Sequence, residues 1–151
     1  LPADVRIHLV EELATAAGYL GMVGGQAADV TLGASIHDPA VLERLHRLKT
    51  GALLRASVRM GGRAAGATVQ QLDALTAYGD HVGLAFQLAD DVLDADEAED
   101  DDGPPSFVRL LGVDATRARA IELAERAVDA ARTLESPVLE ALARRIADRD
   151  V

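Results

Sequence analysis

The sequence predicts an all-α protein, and three observations carry that expectation. Aromatic residues make up only 3% of the chain, and alanine with the aliphatic residues supplies nearly all of its apolar content. No cluster of β-branched and aromatic residues shows the two-residue alternation of a strand. Apolar residues instead recur three and four positions apart, in stretches punctuated by capping residues, proline and glycine.

The length of 151 residues, with no internal repeat or linker, suits a single helical domain over 1–151 with a sizeable core. A net charge of −10 and an isoelectric point near 4.7 argue against nucleic acid or an anionic membrane surface as partner. The acidity is local, since nine of the thirteen residues from Asp90 to Asp102 are Asp or Glu. The absence of cysteine excludes disulfides, iron–sulfur ligation and a Cys-based zinc site, and fits a reducing, cytoplasmic compartment. No apolar run reaches the roughly 18–20 residues of a transmembrane span, and no signal-peptide pattern is present. Beginning at Leu1 rather than Met, the chain reads as a processed, trimmed or partial product.

Five helical stretches follow in order. Asp4 is a plausible N-cap for a first helix reaching about Asp29. At its centre lie Gly21, Gly24 and Gly25, each costing about 1 kcal/mol against alanine in a helix interior. Glycines at that cost point to close approach by another backbone or a ligand. Thr31 to His37 form a connection. Asp38 and Pro39 pair as N-cap and first helical residue of a second helix, to about Met60. Its apolar stripe is Leu42, Leu45, Leu48, Ala52 and Ala56, and Gly61-Gly62 are its stop signal. Thr68 with Gln71 resembles a capping box opening a third helix over 69–95. Residues 96–105 read as an exposed acidic loop. Asp114 caps a fourth helix over about 115–133, and Ser136-Pro137 open a fifth, to about Asp148. The arginines of these last two helices read as exposed faces with Glu–Arg pairs such as Glu122–Arg126.

The third helix carries the chemistry. With Asp90 at zero and about 100° per residue, Asp94 lies near 40°, Gln87 near 60° and Asp91 near 100°. Three carboxylates and an amide then share one arc near the helix's C-terminal end, where the macrodipole disfavours anions. Adjacent negative charges on a half-buried helix need a cation to offset them, and Mg²⁺ suits carboxylate oxygens and bridges to phosphate. A solvated helix end is the plainer reading of the same residues. Lys49 likewise reads as a surface lysine or an anion contact, and Gln26 and Asp29 as mutual partners or site residues. The four histidines, His8, His37, His46 and His81, form no i, i+4 pair, which argues against zinc. No serine sits in a nucleophile-elbow context.

Four segments coincide: Gly24-Gly25-Gln26-Ala27-Ala28-Asp29, Leu45 through Leu53 with Lys49-Thr50-Gly51, Gly83 through Asp94, and Leu139 through Ala143. In this order and spacing they resemble the C-terminal half of the trans-isoprenyl (polyprenyl) diphosphate synthases, the bacterial farnesyl and geranylgeranyl branch above all. The resemblance implies an isoprenoid-synthase-type helical bundle around a deep cavity, and Mg²⁺-dependent transfer joining an allylic diphosphate to isopentenyl diphosphate. By motif match, Asp90, Asp91 and Asp94 would be metal ligands, directly or through water. Lys49 and Thr50 would meet the allylic diphosphate, Gln87 would hydrogen-bond near the cavity mouth, and Gln26 and Asp29 would face inward in support. The family's dimeric habit implies a homodimer.

The chain also departs from the family pattern. An earlier aspartate-rich motif and an arginine pair belong to an N-terminal half that has no counterpart here. A lysine of relatives is replaced by Pro104, within an acidic stretch. Alone, the chain is expected to be an inactive component that needs a complementing N-terminal half. A degenerate, non-catalytic partner of an active synthase is the alternative, and a terpene cyclase relative a weaker one. Half of such a fold would leave the apolar faces of its first two helices uncovered, which predicts self-association.

Overall fold

Helix α5, Val69–Glu97, is the axis on which the chain is arranged. At 1.5 Å per residue its 29 residues span roughly 44 Å. A computed structural model describes residues 1–97 and 105–147, with the side chains of Ala34, Asp96, Glu97 and Ala147 excepted. The other helices among these residues are α1 (Ala3–Ala17), α2 (Met22–Leu32), α3 (Pro39–His46), α4 (Ala52–Ala64), α6 (Phe107–Leu111), α7 (Val113–Thr133) and α8 (Pro137–Ala147). No strand occurs among them, as the composition predicts.

The N-terminal end of α5 is held by the expected capping box. The Gln71 amide nitrogen of the backbone donates to Thr68 Oγ1 at 3.2 Å, and the Thr68 N–H donates to Gln71 Oε1 at 2.9 Å. Two amides that the helix cannot satisfy internally are thereby paired. Asp38 behaves as expected too, since its Oδ1 accepts the Ala40 N–H at 2.8 Å ahead of Pro39.

Helix α7 lies along one side of α5 and α4 along the other. Ala120, Ala124, Ala127 and Ala131, all buried, recur on one face of α7. Small residues at that spacing let two helix backbones approach closely. The core runs along this seam through Leu42, Leu45, Leu84, Leu88 and Phe107, then through Tyr78, Val82, Val128 and Ala143. Tyr78, 2% exposed, donates its hydroxyl to the Leu139 carbonyl at 2.9 Å and so fixes α8 to α5.

Several boundaries differ from the sequence expectation. The first helix is two helices, broken over Gly18 to Gly21, where the Gly18 and Val23 amides take turn bonds. Asp4 and Asp114 sit inside first turns, behind N-caps Pro2 and Gly112, where a carboxylate still meets the positive end of the helix dipole. The second helix divides into α3 and α4 around a single π-helical turn, Arg47–Gly51. One extra residue in that turn rotates the following side chains off the stripe. Leu48 is therefore 39% exposed, while Ala52 and Ala56 are buried again. Gly61-Gly62 do not stop α4, which continues to Ala64. Helix α5 runs on through residues 96 and 97, and the rest of the expected acidic loop, residues 98–104, lies outside the described residues, as does Asp148. Helix α6, unforeseen in the sequence, is capped by Ser106 Oγ, which accepts the Arg109 N–H at 3.2 Å.

The apolar faces of α1 and α2 are uncovered, as expected for these elements. Ile7, Val10, Val23 and Val30, with Leu20 in the connection between the helices, are each more than half exposed. The stripe on α3 and α4 is covered instead, Leu48 excepted. No helix among the described residues is long and apolar enough to cross a membrane.

Candidate functional site: a lysine–threonine turn facing an acidic helix

The π turn exists where three backbones cross. A methyl group at Gly25 would stand 2.5 Å from the Lys49 amide nitrogen, and one at Gly83 would stand 2.8 Å from the Gly51 α-carbon. Both distances are shorter than real carbon contacts allow, so α2 and α5 reach the turn only because both positions are glycine. The expectation that the 21–26 glycines permit close backbone approach holds at Gly25.

This crossing presents Lys49 and Thr50 to different neighbours. Lys49 Nζ donates to Asp29 Oδ2 on α2 at 2.6 Å, with both side chains about one-third exposed. One of the three ammonium protons is used in this pair. Thr50 Oγ1 donates to Gln87 Oε1 on α5 at 2.6 Å, a bond between residues 37 apart in sequence. Lys49 thus pairs with Asp29, and Thr50 with Gln87. Asp29 does not pair with Gln26, which lies exposed on α2.

The three aspartates fall into different surroundings. Asp90 is half-buried, Asp94 is exposed and Asp91 is buried. Asp91 Oδ2 accepts the backbone N–H of Phe107 at 2.6 Å. Burial pushes the Asp91 carboxyl up to about 6. The Phe107 N–H opposes that shift, and the charges of Asp94 and Asp90 add to it. Among the described residues, no three His, Asp or Glu side chains converge closely enough to hold a metal. Asp90 and Asp94, carboxylates one turn apart on α5, are the oxygen donors that would hold Mg²⁺. One Asp91 oxygen is already committed to a backbone amide.

Two neighbours of this site escape the sequence reading. His46, the last residue of α3, is only 9% exposed, and both of its ring nitrogens are buried without a hydrogen-bond partner. Burial lowers its pKa to about 4, with Asp29 opposing the shift and Lys49 adding to it. The Phe107 ring, fully buried, packs on His46 with ring centroids 5.6 Å apart. The Ser106 cap preceding Phe107 was the available signal, but a five-residue helix carries too little periodicity to be read.

Residues 4–143 match the polyprenyl synthetase family. Farnesyl diphosphate synthase of Escherichia coli K12 is 38% identical over 161 aligned residues, which cover 96% of this chain and 54% of that protein. Farnesyl diphosphate synthase of Geobacillus stearothermophilus is 45% identical over 105 residues, 70% of this chain and 35% of the relative. Among solved structures, an FPP/GFPP synthase from Zymomonas mobilis superposes with a TM-score of 0.86 at 36% identity, over 96% of this chain and 52% of the other. A Helicobacter pylori geranyltransferase complexed with magnesium and isoprenyl diphosphate superposes at 0.81 and 28% identity, over 99% and 53%. The chain spans about half the length of such relatives or less. With the fold, the motif order and these likenesses in agreement, the chain belongs to the polyprenyl synthetase family.

Proposed function

We propose that this chain supplies part of a Mg²⁺-dependent prenyl-transfer site of the farnesyl or geranylgeranyl diphosphate synthase type. Its substrates are an allylic diphosphate and isopentenyl diphosphate. The observation that carries the reading is the Thr50–Gln87 hydrogen bond. It joins the Lys49 turn to α5 one turn before Asp90, which supports a site shared by Lys49, Thr50, Gln87, Asp90 and Asp94.

Each group has a task in departure of the diphosphate. Lys49 offers its remaining ammonium protons to a phosphate oxygen as a point charge. The Gln87 amide, with its carbonyl held by Thr50, keeps its N–H₂ for a second oxygen. Asp90 and Asp94 would hold Mg²⁺, which supplies positive charge where the leaving diphosphate becomes negative. The allylic cation would need an apolar, water-excluding surround, which the Ala-, Leu- and Val-rich helices would help to supply.

Alone the chain is inactive, because two carboxylates and one lysine cannot clamp a full diphosphate–metal group. A second copy or a complementing N-terminal half completes the site and covers α1 and α2. The cysteine-free composition is consistent with a cytoplasmic setting. Calorimetry with Mg²⁺ and a non-hydrolysable allylic diphosphate analogue tests the reading. Mg²⁺-dependent binding that Asp90→Asn removes is expected. No binding, even with a complementing half, would leave the non-catalytic partner as the better account.

A further inference from the structure

We infer that Asp91 is a positioning residue that fixes the Lys49–Thr50 turn through Phe107 and His46, and not a ligand of the metal. The inference rests on the proposed diphosphate site but concerns how that site is held in shape. Asp91 is buried, and its Oδ2 takes the Phe107 amide at 2.6 Å, sixteen residues along the chain. That bond fixes the first residue of α6 against α5. The Phe107 side chain then has one place to go, and it fills the core beside Leu42, Leu45 and Leu88. There it packs on His46, its ring tilted 32° to the imidazole.

His46 immediately precedes the π turn that presents Lys49 and Thr50. Its ring makes no hydrogen bond, so packing alone sets its place. A shift of Phe107 therefore passes to the start of the turn, where Gly25 and Gly83 leave no slack against α2 and α5. Asp90 is half-buried and Asp94 exposed, so both lie nearer the surface than Asp91. Neighbouring acids in one motif thus differ in depth, and Asp91 is the one turned to the core.

The test uses NMR and calorimetry on the 151-residue chain, with Mg²⁺ and inorganic diphosphate as probes. Asp91→Asn keeps an acceptor of the same shape. It should leave the Phe107 amide protected from exchange, hold the His46 ring and Thr50 signals in place, and weaken Mg²⁺ binding by about three-fold at most, the effect of a lost nearby charge. Asp90→Asn should weaken it by more than about ten-fold. Asp91→Ala should speed Phe107 exchange by about ten-fold or more and move the His46 and Thr50 signals. Phe107→Leu should move those signals while the amide at 107 stays protected.

Equal losses of Mg²⁺ affinity in Asp91→Asn and Asp90→Asn would overturn the inference. So would unchanged Phe107 protection, or unmoved Thr50 signals, in Asp91→Ala. If the chain binds no Mg²⁺ even with a complementing half, the proposed function fails, and the exchange and signal shifts still decide the role of Asp91.

Discussion

His46 sits against the Phe107 ring with both nitrogens shielded from water, so the neutral imidazole is the form the fold accepts. Its pKa falls from 6.5 in the unfolded chain to about 4 in the folded one. A depressed histidine stabilises above pH 6.5, and that contribution disappears as pH falls toward 4. The fall from 6.5 to about 4 corresponds to about 3 kcal/mol. Asp91, raised to about 6, acts with the opposite sign, its contribution being lost as pH rises through 6. The two nearly cancel between pH 4 and 6, so total stability conceals both. A comparison isolates the histidine. His46→Phe should gain about 3 kcal/mol relative to the parent between pH 7 and pH 4 in urea unfolding. A gap independent of pH would show that His46 is not buried neutral. None of this was legible in the sequence, where His46 is one of four scattered histidines. Its burial depends on Phe107, 61 positions away.

At the scale of elements, the sequence spoke clearly where local chemistry decides. Asp38-Pro39, Thr68 with Gln71, and the long apolar period of α5 each act within a few residues, and each appears as read. The errors come from tertiary contacts. The π turn inserts one residue without disturbing composition, so the stripe seemed to include Leu48. The break between α1 and α2 lies in a stretch whose glycines were read as tolerated inside one helix. Gly25 gives the prediction at this scale. Gly25→Ala places a methyl 2.5 Å from the Lys49 nitrogen, and α2 must move away from the turn. A loss of about 1–3 kcal/mol is expected in chemical denaturation, the usual cost of overpacking. The Lys49–Asp29 pair should be disturbed with it. Unchanged stability would mean that α2 and the turn do not touch as closely as the structure has them.

At the scale of the molecule, the motif order grouped Lys49, Thr50 and Gln87, and the structure joins Thr50 to Gln87 by a hydrogen bond. The helical wheel grouped all three aspartates because it knows angle but not depth. It could not foresee that Asp91 would find a backbone amide after a stretch of fifteen intervening residues. The exposed face of α1 and α2 carries the molecular-scale expectation. With Val10, Val30 and, in the connection between the two helices, Tyr19 and Leu20 each more than two-thirds exposed, sedimentation at micromolar concentration should give species larger than a monomer. A monodisperse monomer would contradict self-association.

The central claim is that Asp90 and Asp94 hold a divalent cation that joins them to a diphosphate beside Lys49. Crystals grown with Mn²⁺ and a non-hydrolysable allylic diphosphate analogue test it most directly. Anomalous density bound to the Asp90 and Asp94 carboxylates, with the diphosphate reaching Lys49 Nζ, is the predicted result. Diphosphate bound elsewhere, or a cation that bypasses both carboxylates, would contradict the account.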